Sequence, residues 1–271
     1  MSGETQEVDS KVVPSEADTM GRYLYCVAES SQETNLGSIG IDGNNVYTIP
    51  CQDISAVVHN CPAQPYESKD NKLVEVWVMA HETVVETARE RLGTVLPLGF
   101  GTIIKADEEK DPEEMVKVWL KEDYQRLKEK LDKVKGKVEY GVQVSWDIKI
   151  VSEKLIEKDQ ELKDLDREIK SKPKGMAYMY KQKLEKLMRE KIGKEAEICF
   201  KDFYEMIKGV TDEIKVEKLK KEEKPGRQML MNLSCLADKD AKILGDELEK
   251  INNMEGFVVR FTGPWPPYSF V

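Results

Sequence analysis

The sequence predicts an α+β protein of two domains, and three observations carry that expectation. Short aromatic and β-branched runs separated by turn residues fill the first quarter of the chain. A strictly alternating strand opens the second half. Between and after these lie stretches with apolar residues at helical spacing. At 271 residues the chain is long for a single core, which fits two domains of ordinary size.

Order is expected to begin at Tyr23-Leu24-Tyr25-Cys26-Val27, after a polar lead spanning residues 1–21 that reads as disordered, with neither a signal peptide nor an anchor. Apolar runs at Gly37 to Ile41, Val46 to Ile49 and Ile54 to His59, spaced by turns such as Asp42-Gly43-Asn44-Asn45, read as a small sheet. A helix should follow the Pro- and charge-rich loop 62–69. Asp70 is its cap, Leu73, Trp77, Val84 and Ala88 recur on one face, and Gly93 is its stop. Val95 to Lys105 reads as an apolar strand interrupted by Gly99 and Gly101. Asp111-Pro112-Glu113-Glu114 combines a cap, a first-turn proline and a capping-box glutamate, and predicts one helix running to Gly136. The N-terminal α+β domain is therefore placed at 22–136.

Val138, Tyr140, Val142, Val144 and Trp146 alternate as a strand with one buried face. A charged helical stretch comes next. Leu155, Leu162, Leu165 and Ile169 form one narrow stripe, Lys172-Pro173-Lys174-Gly175 breaks it, and Tyr180, Leu184, Leu187, Ile192, Ala196, Cys199, Phe203 and Ile207 resume it. This predicts an antiparallel hairpin of two helices over 152–208. Strands at Ile214 to Leu219 and Met229 to Leu236, a helix at Asp238 to Asn253 and a strand at Phe257 to Thr262 complete the order β-αα-β-β-α-β. That is a ferredoxin-like sandwich over 137–271 whose first helix is enlarged into a hairpin.

Composition narrows the function classes. With 42 basic against 51 acidic residues the net charge is −9, which repels phosphate backbones and anionic membranes. Five cysteines without a CxxC pair argue against a disulfide framework or a zinc site, and no apolar run is long enough to span a bilayer. His81-Glu82 invites a zincin reading that fails, since the second ligand position holds Val85. Two histidines, His59 and His81, do not make a metal site or a Ser-His-Asp triad. His81 is read as a helix-face residue hydrogen-bonded to its neighbours, with acid–base chemistry as its alternative. Gly99-Phe100-Gly101 lacks the rest of a dinucleotide fingerprint and reads as glycine where backbones approach closely. No catalytic, cofactor-binding or metal residue is assigned, and the carboxylates read as solvated helix faces.

Met176, Met179 and Met188 with Tyr178 and Tyr180 suit either an adaptable partner surface or the hairpin core. The last nine residues, Gly263-Pro264-Trp265-Pro266-Pro267-Tyr268-Ser269-Phe270-Val271, carry three prolines and three large aromatics without a charged side chain. They read as a stiff extended strip. It either folds back on its own domain or docks a partner, and Ser-Phe-Val could also add to a sheet edge. Trp265 and Tyr268 are expected to be internal anchors, with Phe270 and Val271 nearer the surface.

The stretch Trp77 to Thr102, with Ala80-His81-Glu82 and Val95-Leu96-Pro97-Leu98-Gly99-Phe100-Gly101-Thr102, resembles the gas vesicle protein F/L family. The ending Thr262-Gly263-Pro264-Trp265-Pro266-Pro267-Tyr268-Ser269-Phe270 is similar to that family's terminal signature. Tyr23-Leu24-Tyr25, Tyr140-Gly141-Val142 and Lys174-Gly175-Met176-Ala177-Tyr178 add to the likeness, which spans about residues 22 to 271. Gly99 departs from it, because many members carry a basic residue there. The resemblance implies a cytoplasmic, gas-vesicle-associated assembly factor or minor structural component without catalysis. Its implied partners are the hydrophobic major shell protein and other accessory proteins. Candidate partner-binding residues are Trp77, His81, Pro97, Phe100, Gly101, Pro264, Trp265, Pro266, Pro267, Tyr268 and Phe270. The alternatives are a coiled-coil adaptor and an enzyme with an unrecognised carboxylate site. The F-like and L-like subtypes are not separated at this level.

Overall fold

The computed structural model describes residues 20–271 apart from residue 223. They form an α+β structure with two antiparallel sheets and seven helices. One compact unit runs to Lys135 and takes in Phe270 and Val271, and the other is Gly136–Ser269. The sequence placed those last two residues in the second domain. The expected disordered lead falls outside the described residues, except that Met20 and Gly21 already pair with Pro62 and Cys61.

The first unit holds β1 (Met20–Ala28), β2 (Asn35–Gly37), β3 (Val46–Cys51), β4 (Ile54–Pro62), β5 (Val95–Pro97) and β6 (Ile103–Lys105). Their order is β2-β3-β4-β1-β5, and β6 also pairs with β1. The expected single strand over 95–105 is thus two short strands on the same neighbour, parted by the Gly99–Gly101 turn. β1 is the central strand, and Tyr23 to Ala28 are wholly buried. A register shift between Leu24 and Cys26 marks a bulge at Tyr25. Because a bulge adds a residue to one strand, Tyr23, Tyr25, Cys26 and Ala28 all join one core cluster instead of alternating across the sheet.

That cluster packs under α1 (Asn71–Leu92), capped by Asp70, whose carboxylate accepts from Lys72 N. His81, Val84, Val85 and Ala88 are its buried face, whereas Leu73 lies exposed. The expected long helix from Asp111 is two, α2 (Pro112–Glu122) and α3 (Tyr124–Val134). Asp123 separates them. Its backbone leaves helical geometry at φ −92° and ψ 4°, while its carboxylate accepts from Trp119 Nε1 at 3.0 Å and from Arg126. At the start of α2, Asp111 Oδ1 accepts from Glu113 N at 2.8 Å and Glu114 N at 2.9 Å. Asp111→Ala should therefore cost about 1 kcal/mol in a urea melt, and an unchanged midpoint would show the cap to be idle.

The second unit runs β7 (Lys137–Asp147), α4 (Ile148–Lys158), α5 (Gln160–Ser171), α6 (Lys174–Lys208), β8 (Glu213–Val216), β9 (Arg227–Asp238), α7 (Lys242–Asn252) and β10 (Phe257–Trp265). The sheet order is β10-β7-β9-β8, antiparallel throughout. The alternating β7 residues Val138, Tyr140, Val142, Val144 and Trp146 face one core with Met231, Leu233 and Cys235. Phe203 and Ile207 of α6 and Leu244, Leu248 and Ile251 of α7 cover it. The expected two-helix hairpin contains three helices. The stripe Leu155 to Ile169 is cut at Asp159, which caps α5 through Glu161 N and Leu162 N and pairs with Lys191 of α6.

Candidate functional site

Both histidines lie in the first unit's core, each between a tyrosine hydroxyl and a second partner. Tyr23 Oη meets His81 Nδ1 at 2.8 Å, and His81 Nε2 meets Leu98 O at 3.1 Å. Tyr25 Oη meets His59 Nδ1 at 2.8 Å, and His59 Nε2 meets Tyr66 Oη at 3.0 Å. Leu98 O can only accept, so His81 Nε2 donates to it and the neutral ring accepts the Tyr23 hydroxyl proton at Nδ1, while Gly101 N–H donates to Tyr23 Oη at 3.1 Å. His59 lies between two hydroxyls, Tyr25 and Tyr66, one of which donates to the neutral ring while the other accepts from it, and Ile41 N–H donates to Tyr25 Oη at 3.0 Å. Burial, which disfavours the imidazolium, pulls both histidines down to about 4. The same burial raises Tyr23 and Tyr25 well above the usual phenol range and pushes Tyr66 up to about 12.

A general base needs a lone pair free for substrate, and each ring's lone pair already holds a tyrosine proton. The cluster is a polar framework. His81 lies on the buried face of α1, hydrogen-bonded to its neighbours Tyr23 and Leu98 O through its two nitrogens.

Trp77, His81, Pro97, Phe100 and Gly101 are brought together around this framework. Phe100 stacks edge-on against Tyr23 and His81 at centroid distances of 6.2 and 6.1 Å. Trp77 meets Tyr66 at 5.3 Å, and its Nε1 donates to Asp42 Oδ1 at 2.9 Å. Pro97 is buried in β5 opposite Cys26. Gly101 is needed for its φ of +88° and not for a close approach, since added Cβ atoms at Gly99 and Gly101 would meet open space. The close-approach expectation for that pair is corrected accordingly, and the space at Gly99 leaves room for a larger side chain.

The terminal residues form a second group. Gly263 (φ +117°) precedes Pro264 across a cis peptide, and a Cβ on Gly263 would lie 2.8 Å from Glu139 O. Trp265 continues the edge strand β10 opposite Glu139 and is 52% exposed. Pro266 and Pro267 are buried, and a short 3-10 turn, Tyr268–Phe270, follows. Glu139, buried in β7, accepts from Ser269 N at 2.8 Å and Ser269 Oγ at 2.6 Å. Phe270 is 3% exposed, with Lys133 Nζ 5.9 Å from its ring centroid. The expected arrangement of the tail is thus reversed for its two largest hydrophobes: Phe270 is internal and Trp265 is out. Among the described residues no group of three or more His, Cys, Asp or Glu could hold a metal ion, and no helix is long and apolar enough to cross a membrane.

The family model "Gas vesicle synthesis protein GvpL/GvpF" matches residues 21–271. The chain belongs to the GvpL/GvpF family. It is 31% identical over 258 residues to gas vesicle protein L1 of Halobacterium salinarum, covering 92% of this chain and 90% of that one. It is 29% identical to gas vesicle protein L of Haloferax mediterranei, with coverages of 93% and 88%. The fold matches the crystal structure of GvpF from Anabaena sp. with a TM-score of 0.73 at 22% identity, covering 93% of this chain and 98% of that one. GvpF from Microcystis aeruginosa matches with a TM-score of 0.63 at 20% identity, with coverages of 92% and 98%.

Within this GvpL/GvpF chain, sequence reasoning missed Tyr25, His59 and Tyr66 as partners and Glu139 as the anchor of the tail. A faint signal existed for the first. Tyr23 and Tyr25 sit two apart in a run too apolar for a hydroxyl unless a buried partner waits for it. Glu139 carried none, since an acid on the polar side of an alternating strand reads as solvated.

Proposed function

We propose that this chain is a cytoplasmic assembly factor or minor structural component of gas vesicles that binds the hydrophobic major shell protein and helps nucleate or chaperone its assembly, without catalysis. Family membership over 21–271 supports the setting. The observation that carries the binding is an apolar row left in water on α1: Leu73, Val76 and Met79, the last two each 61% exposed, beside half-buried Trp77. Neighbouring exposed apolar side chains mark contact surfaces, and methionine adapts to irregular partners. Val76→Asp with Met79→Asp should leave melting unchanged and reduce co-purification of the shell protein from co-expressing cells to the level of a soluble helical control. Recovery equal to that control for the parent protein would sink shell binding itself. Undiminished recovery for the double variant would move the surface off α1.

We infer also that the two units are separate domains, the second a ferredoxin-like sandwich. The antiparallel order β10-β7-β9-β8, with α4 to α6 and then α7 as its helical connections, supports that description. An L-like subtype is supported by L proteins at 27 to 31% identity beside F proteins at 22 to 26%.

A further inference from the structure

The face of the second sheet turned away from its helices carries Gly141, Gln143 and Ser145 of β7 with Val258, Arg260 and Thr262 of β10 opposite them. Strand alternation puts these side chains on the side opposite the core. The segment following β8 lies over one end of this face: Asn232 Nδ2 donates to Lys218 O at 2.7 Å, and Ser145 Oγ pairs with Glu222. What remains is a trough of two adjoining cavities of about 460 and 470 Å³ that share Gln143 and Lys220. Six cations line it: Lys218, Lys220, Lys221, Lys224, Arg227 and Arg260. Three carboxylates accompany them, Glu217 with Glu139 and Glu222, which take hydrogen bonds from Ser269 and Ser145, so cations outnumber carboxylates two to one in the lining. Among the described residues none of the six cations forms a salt bridge, although the chain as a whole carries a net charge of −9. Exposed Trp265 stands at one end.

We propose that this trough binds an acidic peptide segment of a partner protein, its carboxylates pairing with the cations and an apolar side chain resting on Trp265. Unpaired like charges along one wall repel one another until an anion enters, so counter-charge is what the trough lacks. Its elongated, open form suits an extended chain, and because Gln143 Nε2 already donates to Asn232 Oδ1 at 3.2 Å and Asn232 Nδ2 to Lys218 O, recognition falls to the cations and to Trp265. The acidic remainder of the molecule disfavours a long phosphate backbone and admits a short acidic segment locally. The site does not depend on shell binding through α1.

The test is fluorescence anisotropy of the full chain with a labelled peptide of aspartate and glutamate around one central leucine, compared with a lysine peptide and a single-stranded oligonucleotide of equal length. Saturable, salt-sensitive binding of the acidic peptide alone is expected. Lys220→Glu with Arg260→Glu should weaken it by roughly tenfold or more, and Trp265→Ala should weaken it severalfold. Lys181→Glu with Lys183→Glu, on the exposed face of α6, should not change it. Lys218→Ala with Lys221→Ala serves as the milder variant if the charge reversals melt early. No binding, equal loss from the α6 variant, or tighter binding of the oligonucleotide overturns the proposal, the last by making the trough a phosphate site.

Discussion

Phe270→Ala should lower unfolding stability by about 3 to 5 kcal/mol, whereas Trp265→Ala should cost roughly 1 kcal/mol or less. The contrast runs against side-chain size. Tryptophan is the larger ring and on composition alone the better anchor, yet Trp265 is 52% exposed and Phe270 3%. The cause lies in how the chain ends. β10 keeps Trp265 on an edge strand opposite Glu139, after which the chain turns through Pro266 and Pro267. Glu139 then fixes Ser269 through two hydrogen bonds, and the next residue, Phe270, is buried with Lys133 Nζ over its ring. Removing the Phe270 ring leaves a cavity at a buried site next to the anchored Ser269. Removing the Trp265 ring exposes little that was covered. Urea melts of the two variants decide the matter, and a larger loss for Trp265→Ala would show that the tail's anchor has been misassigned. Glu139→Gln offers a consistency check: it keeps an acceptor for Ser269 and should cost less than Phe270→Ala.

What periodicity and capping residues encode locally was legible in the sequence. The five alternating residues of β7 all face the core, and Asp70 and Asp111 cap the helices that they were expected to cap. The helix breaks at Asp123 and Asp159 were not legible, because an aspartate in a Lys- and Glu-rich amphipathic stretch leaves the apolar stripe intact. Asp123 pairs with Trp119 and Arg126 within a turn on either side and Asp159 with the distant Lys191, and none of these pairings disturbs the apolar spacing. The same limit hid the buried framework. Tyr23 and His81 are 58 residues apart and Tyr25 and His59 are 34 apart, beyond any window in which spacing carries information. Exposure along the tail was misread for a related reason. Which side of β10 faces water depends on the register with β7, and a run of aromatics between prolines does not specify it.

Stability should fall as pH is lowered from about 6.5 to about 4, by about 3 kcal/mol for each histidine and on the order of 6 kcal/mol for the pair. His59 and His81 are held neutral in the fold near pH 4 by burial, against an ordinary value of 6.5. Their depressed folded values mean that the unfolded chain binds more protons throughout this window. The contribution is therefore complete above pH 6.5, is lost progressively below it, and changes no further below 4. Geometry accounts for the cost. A proton arriving at the unprotonated nitrogen of either ring faces a tyrosine hydroxyl proton, and at His81 the Tyr23 hydroxyl cannot turn away without meeting the N–H of Gly101. Asp42 is the carboxylate acting on His59 in the opposing direction, and it does not offset desolvation. Carboxylates whose pairing holds them below their usual range, such as Glu29 beside Lys135 and Asp53 beside Tyr124 and Lys128, lose their contribution only at lower pH. Urea midpoints at pH 7.5, 6.0 and 4.8 isolate the histidines. His59→Gln and His81→Gln should each flatten the decline by about half while lowering stability at pH 7.5. A midpoint that stays level from 7.5 to 4.8 in the parent protein would mean that the imidazoles can charge inside the fold, and the neutral Tyr–His framework would have to be abandoned.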